Sequence, residues 1–180
     1  MVTAHEYGKL LVRVNRSLGE HFVSLDFAPG MGFAERQKWW SAGLRSRAHE
    51  GVDICCYQDR IACRCLLGAH IRVPFFCQGK VIAITPDFHG HSVFVRVFEN
   101  PMEQRLVVYA HVLPLVCCGA TVAKGEVAGL IAPSPGTVPP HLHLSLLRGC
   151  GDFPPQALEW RFLNRCPDDF FLNPFVSDQE

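Results

Sequence analysis

The chain of 180 residues lacks an excess of either charge: Lys+Arg and Asp+Glu both number 17. The charges are scattered, and nucleic-acid or anionic-membrane binders usually carry a basic patch, so the sequence points to neither partner. No apolar run approaches the length of a membrane span. The N-terminal stretch, Met1 to Lys9, has neither the charged region nor the apolar core of a secretory signal, so by sequence the chain is expected in the cytoplasm. No Cys-x-x-Cys occurs, which removes the main support for a zinc ribbon or a thioredoxin-like site. The nine cysteines are an odd number, against a fully paired disulfide framework. They are expected to be small buried residues in a reducing compartment.

What the chain does have is apolar content, 48%, enough for one real core. Its pattern is mostly strand. Leu10–Val14 and His21–Phe27 suggest an opening β-hairpin, and Ala34–Lys38 a short helix after a glycine turn. From Val52 onward come short β-rich runs: Val52–Cys56, Ile61–Leu66, Ile71–Phe76, Lys80–Thr85, Ser92–Phe98, Arg105–His111, Val127–Ala132 and Leu142–Leu147. Such spacing predicts an all-β sandwich or barrel. A turn is expected over Glu99–Glu103. Gly68–Gly79 and Gly119–Gly129 share one form, glycine then short strand then glycine then short strand, which suggests a duplicated β motif. Pro154–Leu163 predicts a short C-terminal helix, and Asp168–Phe175 should pack back on the body. The implied division is an N-terminal hairpin and linker (1–45), a core (46–150) and a C-terminal extension (151–180).

Three separated histidine elements carry the chemistry: His49-Glu-Gly-Val-Asp53, Tyr109-Ala-His111 and His141-Leu-His143-Leu-Ser145. His141 and His143 are two apart, so on a strand both project from one face. His49 and Asp53 would lie about 13 Å apart on a straight strand, too far for one zinc. Gly51 between them permits the bend that brings them together. Two His and one Asp are ligands zinc accepts, and three protein ligands plus water is the open, catalytic pattern. Such a metal acidifies its water and polarises a scissile carbonyl. The remaining imidazoles would handle protons.

These elements resemble the M23 zinc metallopeptidases, the LytM/lysostaphin-like group with a duplicated-hybrid-motif β fold. The His-x-Gly-x-Asp, Tyr-x-His and His-x-His elements all match, as does Gly119 to Gly129, and the resemblance spans His49 to Leu147. It implies one Zn²⁺ per chain held by His49, Asp53 and His143. It implies His111 and His141 as catalytic groups, one the general base and one steadying the oxyanion, with the choice open. It further implies hydrolysis of short peptide links of the peptidoglycan type, beside glycine or D-alanine. The chain departs from the pattern at Ser145, where the family commonly has a carboxylate, so a contact behind the zinc ligands is missing there by sequence. Two other readings compete. One is a non-catalytic zinc-site domain of the same fold that binds a partner or cell-wall peptide. The other is a phosphocarrier with paired histidines, against which the His-x-Gly-x-Asp element speaks.

Several residues are assigned lesser roles. Tyr109 either offers its hydroxyl to the site or packs in the core. Trp39 and Trp40 are expected to staple the N-terminal hairpin, with groove lining as the second reading. His70, His89 and His91 are expected on the surface or in loops, and His5 and His21 are incidental. Pro133–Pro140 forms a rigid loop that delivers His141.

Overall fold

A computed structural model describes residues 2–98, 104–149 and 155–176. In chain order the elements are β1 (Val2–Thr3), α1 (Ala4–Val14), β2 (Phe22–Asp26), β3 (Val52–Ile54), β4 (Cys56–Asp59), β5 (Arg64–Leu66) and β6 (Arg72–Pro74). Then follow β7 (Gly79–Pro86), β8 (His91–Val97), β9 (Arg105–Pro114), β10 (Thr121–Val122), β11 (Val127–Ile131) and β12 (Leu142–Arg148). The chain ends with α2 (Trp160–Arg165), β13 (Phe171–Leu172) and β14 (Phe175–Val176), with single 3₁₀ turns in the connections.

Strand β9 is the hub of a nine-stranded sheet. One edge pairs with β8; the other pairs with β12 along its first half and β11 along its second. The two glycine-punctuated stretches fold as one motif used twice, and they exchange partners. The first strand of each, β6 and β10, pairs with the second strand of the other, β11 and β7. The backbone bonds repeat the exchange: Phe75 N–H donates to Glu126 and Val81 N–H to Ala120, both at 2.8 Å. The duplicated all-β architecture expected from the sequence is therefore present. No disulfide forms among the described cysteines.

The N-terminus departs from expectation. Leu10–Val14 is not a strand but the last half of α1, so no N-terminal hairpin forms; only β2, its expected second strand, exists, and it pairs with β4. The helix wins because Thr3 and Glu6 form a reciprocal capping box and Tyr7 and Leu11 share one buried face. Asn15 ends the helix. Its Nδ2 donates to Leu11 O (2.9 Å) and Arg72 O (2.8 Å), and its Oδ1 accepts from Arg72 N–H (2.9 Å), tying α1 to β6.

The expected helix at Ala34–Lys38 is also absent. Five helix formers without a cap cannot nucleate alone, and Ala34 instead takes a positive φ of 62°. At the other end the helix begins at Trp160, later than expected, after a 3₁₀ turn at Pro155–Ala157. The expected Glu99–Glu103 turn and the boundary at Cys150–Gly151 fall outside the described residues.

Two apolar clusters lie on opposite faces of the sheet. One, between the sheet and α1, includes Tyr7, Phe75, Val107, Tyr109, Val112, Leu144 and Leu146. The other, under the C-terminal segment, includes Phe94, Val108, Ala110, Leu147, Leu158, Leu163 and Phe171. As expected, the tail packs back: β13 pairs with β12, and β14 with β1.

The α1 anchor yields a prediction. Asn15→Ala strands a buried carbonyl and a backbone donor, so chemical denaturation should show a loss of about 1–3 kcal/mol. Metal affinity should not change, because α1 lies on the face opposite the histidines.

Candidate functional site

Register places the first pair. Antiparallel β3 and β12 set Asp53 directly opposite His143. The ring Nδ1 of His143 lies 2.8 Å from Asp53 Oδ1. His49 enters from the loop before β3, with Nε2 3.3 Å from both His143 Nδ1 and Asp53 Oδ2. Its Nδ1 donates to Gly32 O at 2.9 Å, which leaves Nε2 as the lone-pair nitrogen. Gly51 is needed for space: a Cβ there would sit 2.1 Å from Leu144 O and 2.8 Å from His143 Nε2. The bend expected at this residue is thus a close approach to β12, not a special backbone torsion.

The three donor atoms fit a metal. Ligands of a tetrahedral zinc at about 2.0–2.1 Å stand about 3.3 Å from one another, and these atoms lie within 4.8 Å of one another in a buried group. With Nδ1 of His143 turned to that point, Nε2 carries the proton and donates to Ser145 Oγ at 2.8 Å. Ser145 therefore supplies the contact that the missing carboxylate left open.

His111 reaches the same place by a β-bulge. Three residues of β8, His91 to Val93, stand opposite four of β9, Tyr109 to Val112. His111 has a φ of +63°, in the left-handed region that few non-glycine residues adopt. Val107 and Tyr109 face the first cluster, and simple alternation would send His111 after them. The extra residue turns it to the other face, beside His143. Tyr109 stays behind: its hydroxyl accepts from Phe76 N–H at 3.0 Å and burial drives its pKa up, so the core reading holds and the site-hydroxyl reading fails. His141, at the end of the proline loop, donates Nδ1–H to Pro139 O at 2.9 Å and packs 4.8 Å, ring to ring, from His111.

All five site residues line one cleft of about 400 Å³. Of its other surroundings, the tryptophan pair follows the second reading made of it, groove lining. Trp39, far from stapling a hairpin, donates its indole N–H to Asp53 Oδ2 at 2.6 Å and packs edge-on against His141. Arg45 adds a guanidinium 3.2 Å from the same oxygen, and Trp40 lines the cleft beneath it. Trp160, at the start of α2, touches His111 and His143 with ring separations of 5.2 and 5.3 Å. His89 lies in the loop after β7, as expected, but is half-buried and stands 5.0 Å from the His111 ring. Its two-apart spacing with His91 was visible, but nothing in the sequence aimed it here. His70, His5 and His21 are exposed, as expected.

Electrostatics follow from burial. For Asp53, burial acts to raise the pKa, but the imidazoles of His143 and His49 beside it hold it well below the carboxylate range. Burial likewise lowers His89, reinforced by His111.

No family model and no curated protein matches the chain in sequence. Solved structures do match in shape. The catalytic domain of the antimicrobial peptidase lysostaphin from Staphylococcus simulans has a TM-score of 0.51 at 18% identity, over 83% of this chain and 96% of that one. The fold is that of lysostaphin. Full lysostaphin in solution matches with a TM-score of 0.53 at 15% identity, over 84% of this chain and 48% of its own length. LytU matches with 0.51 at 18% identity, over 83% of this chain and 85% of LytU. The resemblance to M23 peptidases read from the sequence is matched by the fold.

Two predictions test the geometry. Gly51→Ala should weaken zinc binding by at least about tenfold, read by competition with a chromogenic chelator, because β12 and His143 must move. His141, whose pKa burial pushes down to about 4, is neutral in the folded chain and charges on unfolding below about pH 6.5. Its contribution is therefore whole above pH 6.5 and lost as pH falls toward 4. Metal-free His141→Gln should lose less stability than wild type between pH 7 and 4.5, by about 1–3 kcal/mol in denaturant titrations.

Proposed function

We propose that this chain is a zinc-dependent endopeptidase that hydrolyses short peptide links of the peptidoglycan type, adjacent to glycine or D-alanine. The observation that carries the reading is the convergence of five separately predicted residues, His49, Asp53, His111, His141 and His143, on one cleft. His49 Nε2, His143 Nδ1 and one oxygen of Asp53 would hold the metal. Bound there, zinc would acidify a water and polarise the scissile carbonyl.

The chain's own groups do the rest. His111 and His141 each direct Nδ1–H to an oxygen of the protein, which leaves both Nε2 atoms to take or give a proton in the cleft. Trp40, Phe88, Val138 and Trp160 wall the cleft and limit the water that reaches it. In this reading residues 46–150 are the peptidase core, and 1–45 and 151–180 supply walls. No helix of the described residues is long and apolar enough to cross a membrane.

One observation favours a second reading. Trp39 and Arg45 both occupy Asp53 Oδ2, an arrangement suited to a latent site or to a non-catalytic zinc domain that binds a partner or cell-wall peptide.

The deciding experiment is mass-spectrometric detection of new amino termini after zinc-loaded protein meets purified peptidoglycan and glycine-rich peptides. Cleavage should occur, vanish with a chelator, and fall at least about 100-fold in His111→Ala. No cleavage by protein shown to hold one zinc would reject the peptidase reading and leave the binding domain.

A further inference from the structure

Asp87 has no part in the machinery described so far, yet it is built as a receptor for one imidazole. It follows β7, and its side chain has no exposed surface. Five hydrogens point at it. Oδ1 accepts from the backbone N–H groups of His89 (3.0 Å) and Gly90 (2.9 Å) and from Nδ1 of His111 (3.1 Å). Oδ2 accepts from the Ser92 hydroxyl (2.8 Å) and from the backbone N–H of His111 (2.9 Å).

Two of the five come from one residue, and they hold it at both ends. The backbone bond pins His111 at its left-handed bulge, a conformation that costs about 1–2 kcal/mol for a residue with a Cβ. The ring bond fixes the plane of the imidazole. An ionised carboxylate can only accept, so the proton of a neutral His111 must sit on Nδ1. The far edge of the ring, Nε2, then faces away from the buried carboxylate with its lone pair free. His49 and His141 reach the same tautomer by donating to backbone carbonyls; His111 alone of the three uses a charged acceptor.

We propose that Asp87 is the positioning residue of this site, holding His111 in the Nδ1–H tautomer so that Nε2 serves the cleft as a proton acceptor. The inference rests on the reading of His111 as a proton-handling group. It requires no contact between Asp87 and substrate. The competing account is that Asp87 merely ties the turn at His89 and Gly90, and the two accounts differ in what they predict for the ring.

The test has two arms. Imidazole ¹⁵N spectra of wild-type protein, with and without zinc, should show His111 protonated on Nδ1 near neutral pH; protonation on Nε2 instead would overturn the proposal. Asp87→Asn offers an amide that can donate to Nδ1, so it should move the His111 proton toward Nε2. It should also lower kcat about 10- to 100-fold, with KM and zinc affinity within about twofold. An Asn variant that keeps both the wild-type tautomer and the wild-type kcat shows a turn residue and nothing more. The wild-type spectrum decides the tautomer even if the variant folds poorly. If wild type cleaves no peptide, the peptidase reading fails while the spectra still decide the role of Asp87.

Discussion

A buried carboxylate sets the terms for this site. Asp53 has 4% of its side chain exposed, and stripping water from such a group costs several kcal/mol unless donors replace it. The chain supplies two, the Trp39 indole and the Arg45 guanidinium, and sets the His143 and His49 rings beside the same carboxylate. Both donors come from the irregular segment between β2 and β3, in which Met31 is the one fully buried apolar side chain. That segment is instead laced by backbone bonds, Ala34 to His49 O, His49 to Glu35 O and Asp53 to Met31 O. Its path over the cleft is thus tied to the need to satisfy one charge. The same need explains why a loop whose apolar side chains, Met31 apart, are not fully buried stands as a wall of the site.

The second constraint is topological. The sheet divides its side chains between two clusters, and β9 serves both. Val107, Tyr109 and Val112 go to one, Leu106, Val108 and Ala110 to the other. Only the odd residue at the bulge escapes this alternation, and it is His111. On β12 no bulge is needed, because His143 and Ser145 already lie on the face of Leu147, opposite Leu144 and Leu146. One inserted residue on one strand therefore brings two strands' functional side chains to a single point.

These constraints also explain what the sequence disclosed. Strands with strict alternation and glycine punctuation were legible, and so was the grouping of five candidate residues in one cleft, because each sat in a short motif with a fixed spacing. Leu10–Val14 misled because its β-branched residues match a strand, whereas the signals for helix, Thr3 and Glu6, lie one turn upstream and act through caps. Asp87, His89, Arg45 and Trp160 were not legible near the site, and Trp39 only as a second reading. Their roles depend on contacts up to about a hundred residues away in sequence, and no local spacing encodes those. Tyr109 follows the core reading, one of the two made of it, because the bulge turns His111 to the other face and leaves Tyr109 behind.

A partner behind a metal-binding imidazole does two things: it orients the ring, and by its charge it raises the ring's basicity. Ser145 Oγ at 2.8 Å keeps the orientation, since a hydroxyl accepts from Nε2–H as well as a carboxylate does in direction. It gives up the charge. On this buried face a second carboxylate would stand beside Asp53, and among the described residues Arg45 is the cation placed to offset either. The hydroxyl avoids that repulsion, and its own proton remains available to a neighbouring acceptor. What the replacement removes is negative charge, so His143 is a weaker donor to any cation than it would be with a carboxylate behind it. The geometry of the site is preserved while its electron supply is lowered, and the burden of charge compensation falls on Asp53 alone.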